Sequence, residues 1–131
     1  MPTRSISLVT LVVPDYDAAI DFYCGVLGFT LVEDTHLDGD KRWVVVHTAG
    51  GEGTGLLLAK AADAGQQGAI GKQAGGRVAF FLTTDDFARD HREWRQAGVV
   101  FEEEPRDEAY GTVAVFRDPF GNRWDLIEPR S

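Results

Sequence analysis

The 131-residue sequence has little cysteine, little basic charge and no long apolar run. Its single cysteine excludes an intramolecular disulfide and is typical of a protein kept in a reducing compartment. Thirteen Lys and Arg against 21 Asp and Glu give a formal net charge of −8, which argues against nucleic acid and anionic membranes as partners. No apolar run approaches the ~18 residues of a spanning helix, and the first residues show no signal-peptide pattern. The composition therefore predicts a cytoplasmic protein.

What the sequence does contain is enough apolar material for a packed interior. Hydrophobic residues make up 44% and charged residues 26%, a balance typical of a folded globular chain rather than a disordered one. A chain of this length forms one domain or two very small modules that share a core.

The first half has the pattern of a strand, a helix and three more strands. The apolar run 6–13 predicts a buried strand, and Asp15 is a suitable N-cap for a helix that ends at Gly28. Three runs of strand character follow, at 30–33, 41–48 and 56–59.

Residues 61–76 differ from the rest because they are rich in Ala, Gly and Gln, with five glycines. Such a composition predicts a flexible connection, which is either a lid or a link between modules. We favour the link, because the second half repeats the first.

The second half begins with a strand over 77–83 and a helix whose inner face is formed by Phe87, His91 and Trp94. Three further strands are predicted at 99–102, 110–116 and 123–127. At an offset of about 70 residues the two halves align, so that the helix-starting aspartate and the helix-ending glycine recur in both.

A turn-forming segment, residues 118–122 (DPFGN), separates the last two strands and predicts a hairpin. In the final strand, alternation places Asp125 on the same face as Ile127 and places Trp124 and Leu126 on the other. We expect Asp125 to point inward, where an acidic side chain is unfavourable unless it has a partner or a function.

Together these patterns predict an α+β fold of two tandem βαβββ modules. Module one spans about 5–60, the Gly/Ala-rich connection spans 61–76 and module two spans about 77–129. Each module is too small to bury its own sheet, so the two are expected to form one domain (1–131) with an open, U-shaped mixed sheet around a cavity.

Three stretches of the sequence resemble the vicinal oxygen chelate (VOC) superfamily of glyoxalases, extradiol dioxygenases and bleomycin-resistance proteins. They are Leu8–Phe29, Arg77–Phe101 and Tyr110–Pro129, and the FY…LGF and DPFGN motifs are their most specific parts. The resemblance implies tandem βαβββ modules around a cavity and assembly as a homodimer.

The enzymes of this superfamily hold a divalent metal with His and Glu side chains from several strands. The resemblance places those ligands at Leu8, at Arg77 or Val78, within Leu56–Leu58, and at Asp125. Only Asp125 carries a group that could ligate, so the resemblance implies that the usual metal ligands are missing and that no cofactor is bound.

The candidate ligand-binding residues are Arg77, Asp125, Trp43, His47 and Tyr110. Arg77 and Asp125 form either a charged pair that orients a polar ligand or a structural ion pair, unless Arg77 is simply exposed. Trp43 and Tyr110 are candidate walls for stacking, and His47 is in phase with Trp43 on its strand.

The remaining reactive groups are interpreted as structural. His36 is expected in a solvated loop, His91 packed on its helix and Cys24 inert in the helix core. The aromatic residues of the strands, Phe80 and Phe81 among them, are core residues by default.

The main functional hypothesis is a metal-independent protein that binds a small organic molecule and sequesters an antibiotic or a toxic metabolite. The alternative is a VOC-type lyase, isomerase or dioxygenase with a non-standard metal site or metal-free acid–base chemistry. In that case Asp125 is the only candidate acid or base.

Overall fold

In the computed structural model, which describes residues 2–50 and 53–130, the chain divides into two units, residues 1–70 and 71–131. The division falls inside the predicted connection 61–76. Within the described ranges, no helix combines the length and apolar character that crossing a membrane requires.

The first unit contains a four-stranded mixed sheet in the order β1-β4-β3-β2. Strands β1 and β4 are parallel, and the other two pairings are antiparallel. Its elements are β1 (Leu8–Val13), α1 (Tyr16–Ile20) with a π-helical continuation (Asp21–Val26), β2 (Thr30–His36), β3 (Arg42–His47), β4 (Gly55–Lys60) and α2 (Ala64–Ala69).

The helix formed by α1 and its π-helical continuation begins and ends where the sequence predicts. The Asp15 carboxylate accepts a hydrogen bond from the Ala18 backbone N–H at 2.8 Å, which satisfies a donor that the helix leaves unpaired. The Leu27 N–H then donates to the carbonyl of Phe22, five residues earlier, at 3.0 Å, which is the hydrogen bond of a π-helix. Gly28 closes it with φ of +80°.

The core of the first unit lies on one face of its sheet. The register sets Leu11 beside Leu58 and Leu58 beside Val44, and all three are fully buried. Tyr23 of the helical segment is also fully buried. Burial of such side chains contributes about 1.5–3 kcal/mol each, so this face stabilises the unit.

The prediction of a flexible connection is wrong for residues 64–69, which form helix α2. The Asp63 carboxylate accepts from the Gln66 N–H at 2.8 Å, and the Gln66 side chain accepts from the Ala62 N–H at 2.7 Å. This reciprocal cap, similar to a capping box, outweighs the low helix propensity of the two glycines inside the helix. No residue of α2 is buried.

The second unit repeats the arrangement. Its sheet has the order β5-β9-β8-β6, with β5 and β9 parallel and β7 paired to the same strand as β6. Its elements are β5 (Val78–Thr83), α3 (Phe87–Gln96), β6 (Val100–Phe101), β7 (Arg106–Glu108), β8 (Gly111–Arg117) and β9 (Arg123–Pro129). The α+β class and the repeated order of strand, helix and strands are confirmed.

Strand β7 was not predicted, because its three residues, Arg106–Glu108, are all charged, although they pair antiparallel with β8. Between β6 and β7 the chain does not pair with β8. There the Glu103 carboxylate, in place of a backbone carbonyl, accepts a hydrogen bond from the Val115 N–H at 2.9 Å. The same carboxylate receives the Arg106 Nε–H at 3.0 Å, and β7 starts at that arginine.

An aromatic stack forms the core of the second unit. Phe116 is fully buried, with its ring centroid 5.4 Å from Trp94 of α3 and 5.8 Å from Trp124 of β9. Phe80 continues the stack at 4.5 Å from Trp124. Because these rings attach the helix to three strands, one face of this sheet is also fully covered.

The turn between β8 and β9 is built around a buried carboxylate. Asp118 is 4% exposed, and its Oδ1 accepts the backbone N–H groups of Phe120 and Asn122, both at 2.9 Å. Its Oδ2 accepts the Asn122 side-chain amide at 2.7 Å. The predicted hairpin is therefore held by side-chain hydrogen bonds as well as by turn residues.

We expect Asp118→Ala to lower the free energy of unfolding by about 2–4 kcal/mol, because it leaves buried donors unsatisfied. Urea denaturation of the variant and of an Asp107→Ala control, whose side chain is 81% exposed, measures the difference. Equal stability of the two variants would contradict this account of the turn.

Two glycines near the unit boundary should respond in opposite ways to alanine. A Cβ at Gly71, where φ is +73°, would lie 2.1 Å from the Phe120 carbonyl oxygen, whereas one at Gly68 in α2 would meet nothing within 4 Å. We expect Gly71→Ala to destabilise the fold by about 2 kcal/mol or more. Gly68→Ala should be neutral or stabilise by up to about 1 kcal/mol. Thermal unfolding of both variants checks the pair, and a harmless Gly71→Ala would be inconsistent with the close contact.

Candidate functional site

Each unit has one sheet face that its helix does not cover, and these open faces carry most of the candidate residues. In β9, Trp124 and Leu126 lie on the covered face, with 3% and 0% exposure. Asp125 and Ile127 lie on the other face and are half-buried. The predicted alternation holds, and the face of Asp125 also carries buried side chains, since Val113 beside Ile127 is 0% exposed and Val115 beside Asp125 is 6% exposed.

Asp125 lies between two apolar neighbours on its open face. Phe81 of β5 and Val115 of β8 are its partners in the register on either side. Phe81 is 68% exposed, so the prediction of a core residue was wrong there, because β5 turns Phe80 and not Phe81 toward the helix. The open face therefore combines an exposed aromatic ring with a carboxylate.

The Asp125 carboxylate is incompletely satisfied. Its Oδ1 is buried and has no hydrogen-bond partner among the residues that the structure describes. Burial raises the pKa of this carboxyl above its ordinary value, and the nearby Glu103 adds to the rise, whereas Arg106 and Arg123 oppose it. A half-buried carboxylate with an unused oxygen can bind a ligand's donor or exchange a proton.

Arg77 does not form an ion pair or a hydrogen bond with Asp125 in the described part of the chain. Arg77 is exposed just ahead of β5, and Val78 is the residue that lies opposite Arg123. An irregularity between Val78 and Phe80 shifts the phase of β5, which the sequence pattern alone did not reveal. The cations near Asp125 are those of β7 and β9 instead.

Glu102 binds one of those cations, Arg123, together with Arg117 of β8. Its carboxylate accepts from Arg123 Nε and Nη2, each at 2.9 Å, and from Arg117 Nε at 2.7 Å. These bonds hold the pKa of Glu102 below its ordinary value, with the Arg123 bond as the main cause. Arg123 also donates to the Gly76 carbonyl at 3.0 Å, so both arginines are held by structural partners.

In the first unit, Trp43 lines a pocket of about 520 Å³ at the end of the β3–β4 pair. Trp43 is 37% exposed, which is unusual beside the buried Trp94 and Trp124. The pocket, called the Trp43 pocket below, is lined by Tyr16, Asp40, Lys41, Arg42, Trp43, Leu57, Leu58, Ala59, Lys60, Ala61, Ala62 and Gln66.

One wall of the Trp43 pocket is made rigid by Arg42. Its guanidinium donates to Asp34 through Nε at 3.1 Å and Nη2 at 2.7 Å, and to Asp17 through Nη1 at 3.0 Å. The guanidinium also lies over the Tyr16 ring, 5.0 Å from its centroid, and the Arg42 backbone N–H donates to the Tyr16 hydroxyl at 3.1 Å. The Asp34 pKa falls below its ordinary value, chiefly through its hydrogen bond with Arg42.

His47 is half-buried at the end of β3 and lies against Gly55 of β4. A Cβ at position 55 would be 2.5 Å from His47 Nε2, so only glycine leaves room for the imidazole. Sequence reasoning named His47 but missed its glycine partner, although the glycine-rich run before β4 was a signal.

Tyr110 lies at the turn that precedes β8 and is 55% exposed. Its backbone carbonyl accepts from the Arg130 N–H at 3.0 Å, which ties the turn to the end of β9. The exposed ring is available to a ligand or a partner. The structure gives it no contact with Asp125.

The other reactive side chains have structural surroundings. His91 stacks on Phe87 at 5.4 Å and meets Phe101 edge-on at 4.6 Å, and burial lowers its pKa. Burial raises the pKa of the Cys24 thiol, which disfavours the reactive thiolate. His36 is exposed, as expected, but it ends strand β2 and does not lie in a loop.

The positions at which the resemblance places metal ligands carry mostly aliphatic side chains. Leu8, Leu57 and Val78 are aliphatic, and only Asp125 offers oxygen atoms. Within residues 2–50 and 53–130, no group of three or more His, Cys, Asp or Glu side chains is arranged to hold a metal ion.

Three comparisons relate the chain to known proteins. An uncharacterized protein of Shewanella frigidimarina (strain NCIMB 400) is 52% identical over 126 residues, which is 95% of this chain and 93% of that protein. The crystal structure of UcmS2 superposes with a TM-score of 0.83 at 32% identity, covering 98% of this chain and 99% of the other.

The crystal structure of TnmS3, an antibiotic binding protein from Streptomyces sp. CB03234, superposes with a TM-score of 0.79 at 28% identity and covers 99% of both chains. The sequence model of one family matches residues 5–126. The predicted resemblance is confirmed: the chain belongs to the Glyoxalase/Bleomycin resistance protein/Dioxygenase superfamily.

Proposed function

We propose that this protein binds a small organic molecule with a flat aromatic part, without the help of a metal ion, in the Trp43 pocket. The observation that carries the proposal is the exposed Trp43 ring at the wall of a 520 Å³ pocket whose other walls include Leu57 and Ala59. Ligand pockets in proteins commonly have this volume and this mixture of apolar walls with a few polar groups.

Two further observations support binding over catalysis. Of the four positions where the resemblance places metal ligands, only Asp125 carries a group that could ligate, which argues against the usual Lewis-acid chemistry of this superfamily. TnmS3, which shares the fold at 28% identity, is an antibiotic binding protein. Sequestration of an antibiotic or toxic metabolite is therefore the biological role that we propose.

The rigidity of the pocket wall favours tight binding. Arg42 is fixed by Asp17, Asp34 and Tyr16 before any ligand arrives, so little side-chain freedom is lost there on binding. Trp43 supplies a large apolar surface with only two rotatable side-chain bonds. Assembly as a homodimer and a cytoplasmic location stay predictions from the sequence.

We expect Trp43→Ala to weaken binding of the neutral probe 2-naphthalenemethanol about tenfold, because the stacking wall is lost. Isothermal titration measures the affinity. The matched control is Leu31→Ala, which removes a 41% exposed apolar side chain outside the pocket and should leave the affinity unchanged.

Binding of the same probe should also quench tryptophan emission in the native chain and not in Trp43→Phe, since Trp94 and Trp124 are buried. Protein treated with a chelator should bind as well as untreated protein. Loss of binding after chelation would overturn the metal-independent proposal.

The second candidate is an enzyme that uses Asp125 as an acid or base, and the buried, unpartnered Oδ1 favours it. A carboxyl group with a raised pKa can hold and release a proton nearer to neutral pH. The nearby Glu103 carboxylate already accepts from the Val115 N–H and from Arg106, so we rank this function below binding.

The raised pKa of Asp125 gives a prediction about stability. Between the ordinary value of 3.8 and the raised folded value, the folded state binds more protons than the unfolded state. The free energy of unfolding therefore falls as the pH rises through that window. Above the window, the full free-energy cost of burying the charged carboxylate is present. We expect Asp125→Asn to be more stable than the native chain at pH 7 and to lose that advantage below about pH 4.

Urea denaturation at several pH values measures the effect, with Asp107→Asn as an exposed control that should change stability little. A variant less stable than the native chain at pH 7 would mean that the ionised Asp125 makes a stabilising contact, contrary to this account.

A further inference from the structure

Four charged residues line the Trp43 pocket: Asp40, Lys41, Arg42 and Lys60. Arg42 is already engaged by two carboxylates, and its side chain is only 16% exposed. Among the described residues, the ammonium groups of Lys41 and Lys60 have neither an ion pair nor a hydrogen bond. The charges free to meet a ligand are therefore two ammonium groups and the Asp40 carboxylate.

The strand register places the two lysines on opposite sides of the pocket's end. Val44 lies beside Leu58; Lys60 is two residues from Leu58 in β4 and shares its side of the sheet, whereas Trp43 is one residue from Val44 and lies on the other side. Lys41, which directly precedes β3, alternates onto the side of Trp43. A ligand that packs on the Trp43 ring therefore has the Lys41 ammonium group on its own side of the sheet. The Lys60 ammonium group lies on the other side, at the end of the strand.

The overall charge of −8 does not decide which ligands this pocket prefers. At physiological ionic strength, charges more than about 8 Å apart are largely screened, so the nearest groups dominate. Beside an apolar wall a charge pair is also stronger than in open water. An anionic group on the ligand meets two free cations here, whereas a cationic group meets one free carboxylate.

We infer that the ligand of the Trp43 pocket is a planar aromatic compound that carries a carboxylate, sulfonate or phosphate group, that Lys41 binds this group, and that Lys60 at the strand end adds to the positive charge around it. The inference rests on the proposed function, because it names the chemical class of the ligand of that same pocket. It is opposite in sign to the cationic ligand that the acidic composition alone would favour.

Three probes with one ring system and different charge test the inference: 2-naphthoate, 2-naphthalenemethanol and protonated 2-naphthylmethylamine. Isothermal titration at low salt and at 150 mM salt gives each affinity. We expect 2-naphthoate to bind about three- to tenfold more tightly than the alcohol, with the preference reduced by salt. The protonated amine should bind no more tightly than the alcohol.

The double variant Lys41→Gln/Lys60→Gln should abolish the preference for 2-naphthoate over the alcohol. Lys72→Gln is the matched control, since Lys72 is the third lysine of the chain and does not line the pocket. It should retain the full preference.

The outcomes separate this inference from the proposed function. If the three probes bind equally and binding depends on Trp43, the proposed function stands and the anionic ligand class is wrong. Tighter binding of the amine, or a preference that survives the double variant, also overturns the inference. If no probe binds at millimolar concentration, both the pocket and its ligand class are refuted.

Discussion

The parallel pairing of the first strand with the last strand is the constraint on which each unit depends. In the first unit β1 lies beside β4, and in the second β5 lies beside β9, so a helix must carry the chain away after each opening strand. That helix packs on one face of the sheet and does not reach the other. The division between a packed face and an open face follows from the topology, and the candidate functional residues lie where the helix does not.

Much of this organisation could be predicted because its determinants are local. Asp15 and Gly28 bound the first helix, and the spacing of apolar residues defines most strands. Helix α2 and strand β7 escaped prediction for physical reasons, since α2 begins at a side-chain cap and β7 is a run of charged residues that pairs with β8. Gln66 caps α2, and Glu103 replaces a strand partner of β8.

The candidate site was only partly accessible to sequence reasoning. Trp43 and His47 could be assigned to one strand by alternation, but the pocket beside Trp43 is formed by segments that are far apart in sequence. Arg77 was named as the partner of Asp125, whereas Arg106 and Arg123 are the cations that act on its carboxyl group. An irregularity in a strand shifts every later side chain, and no residue type near Val78 signals it.

The contact between Gly71 and the Phe120 carbonyl has a consequence for how the chain can vary. At the other end of the same segment, the Ala61 N–H is bonded to the Val13 carbonyl at 2.9 Å. Between these two fixed points α2 buries no residue, so insertions and deletions there disturb little packing. Doubling the length of such a segment costs only about 0.6 kcal/mol in chain entropy. Relatives can therefore differ in the size of this segment, and in how much of the Trp43 pocket it borders, while both sheets stay the same.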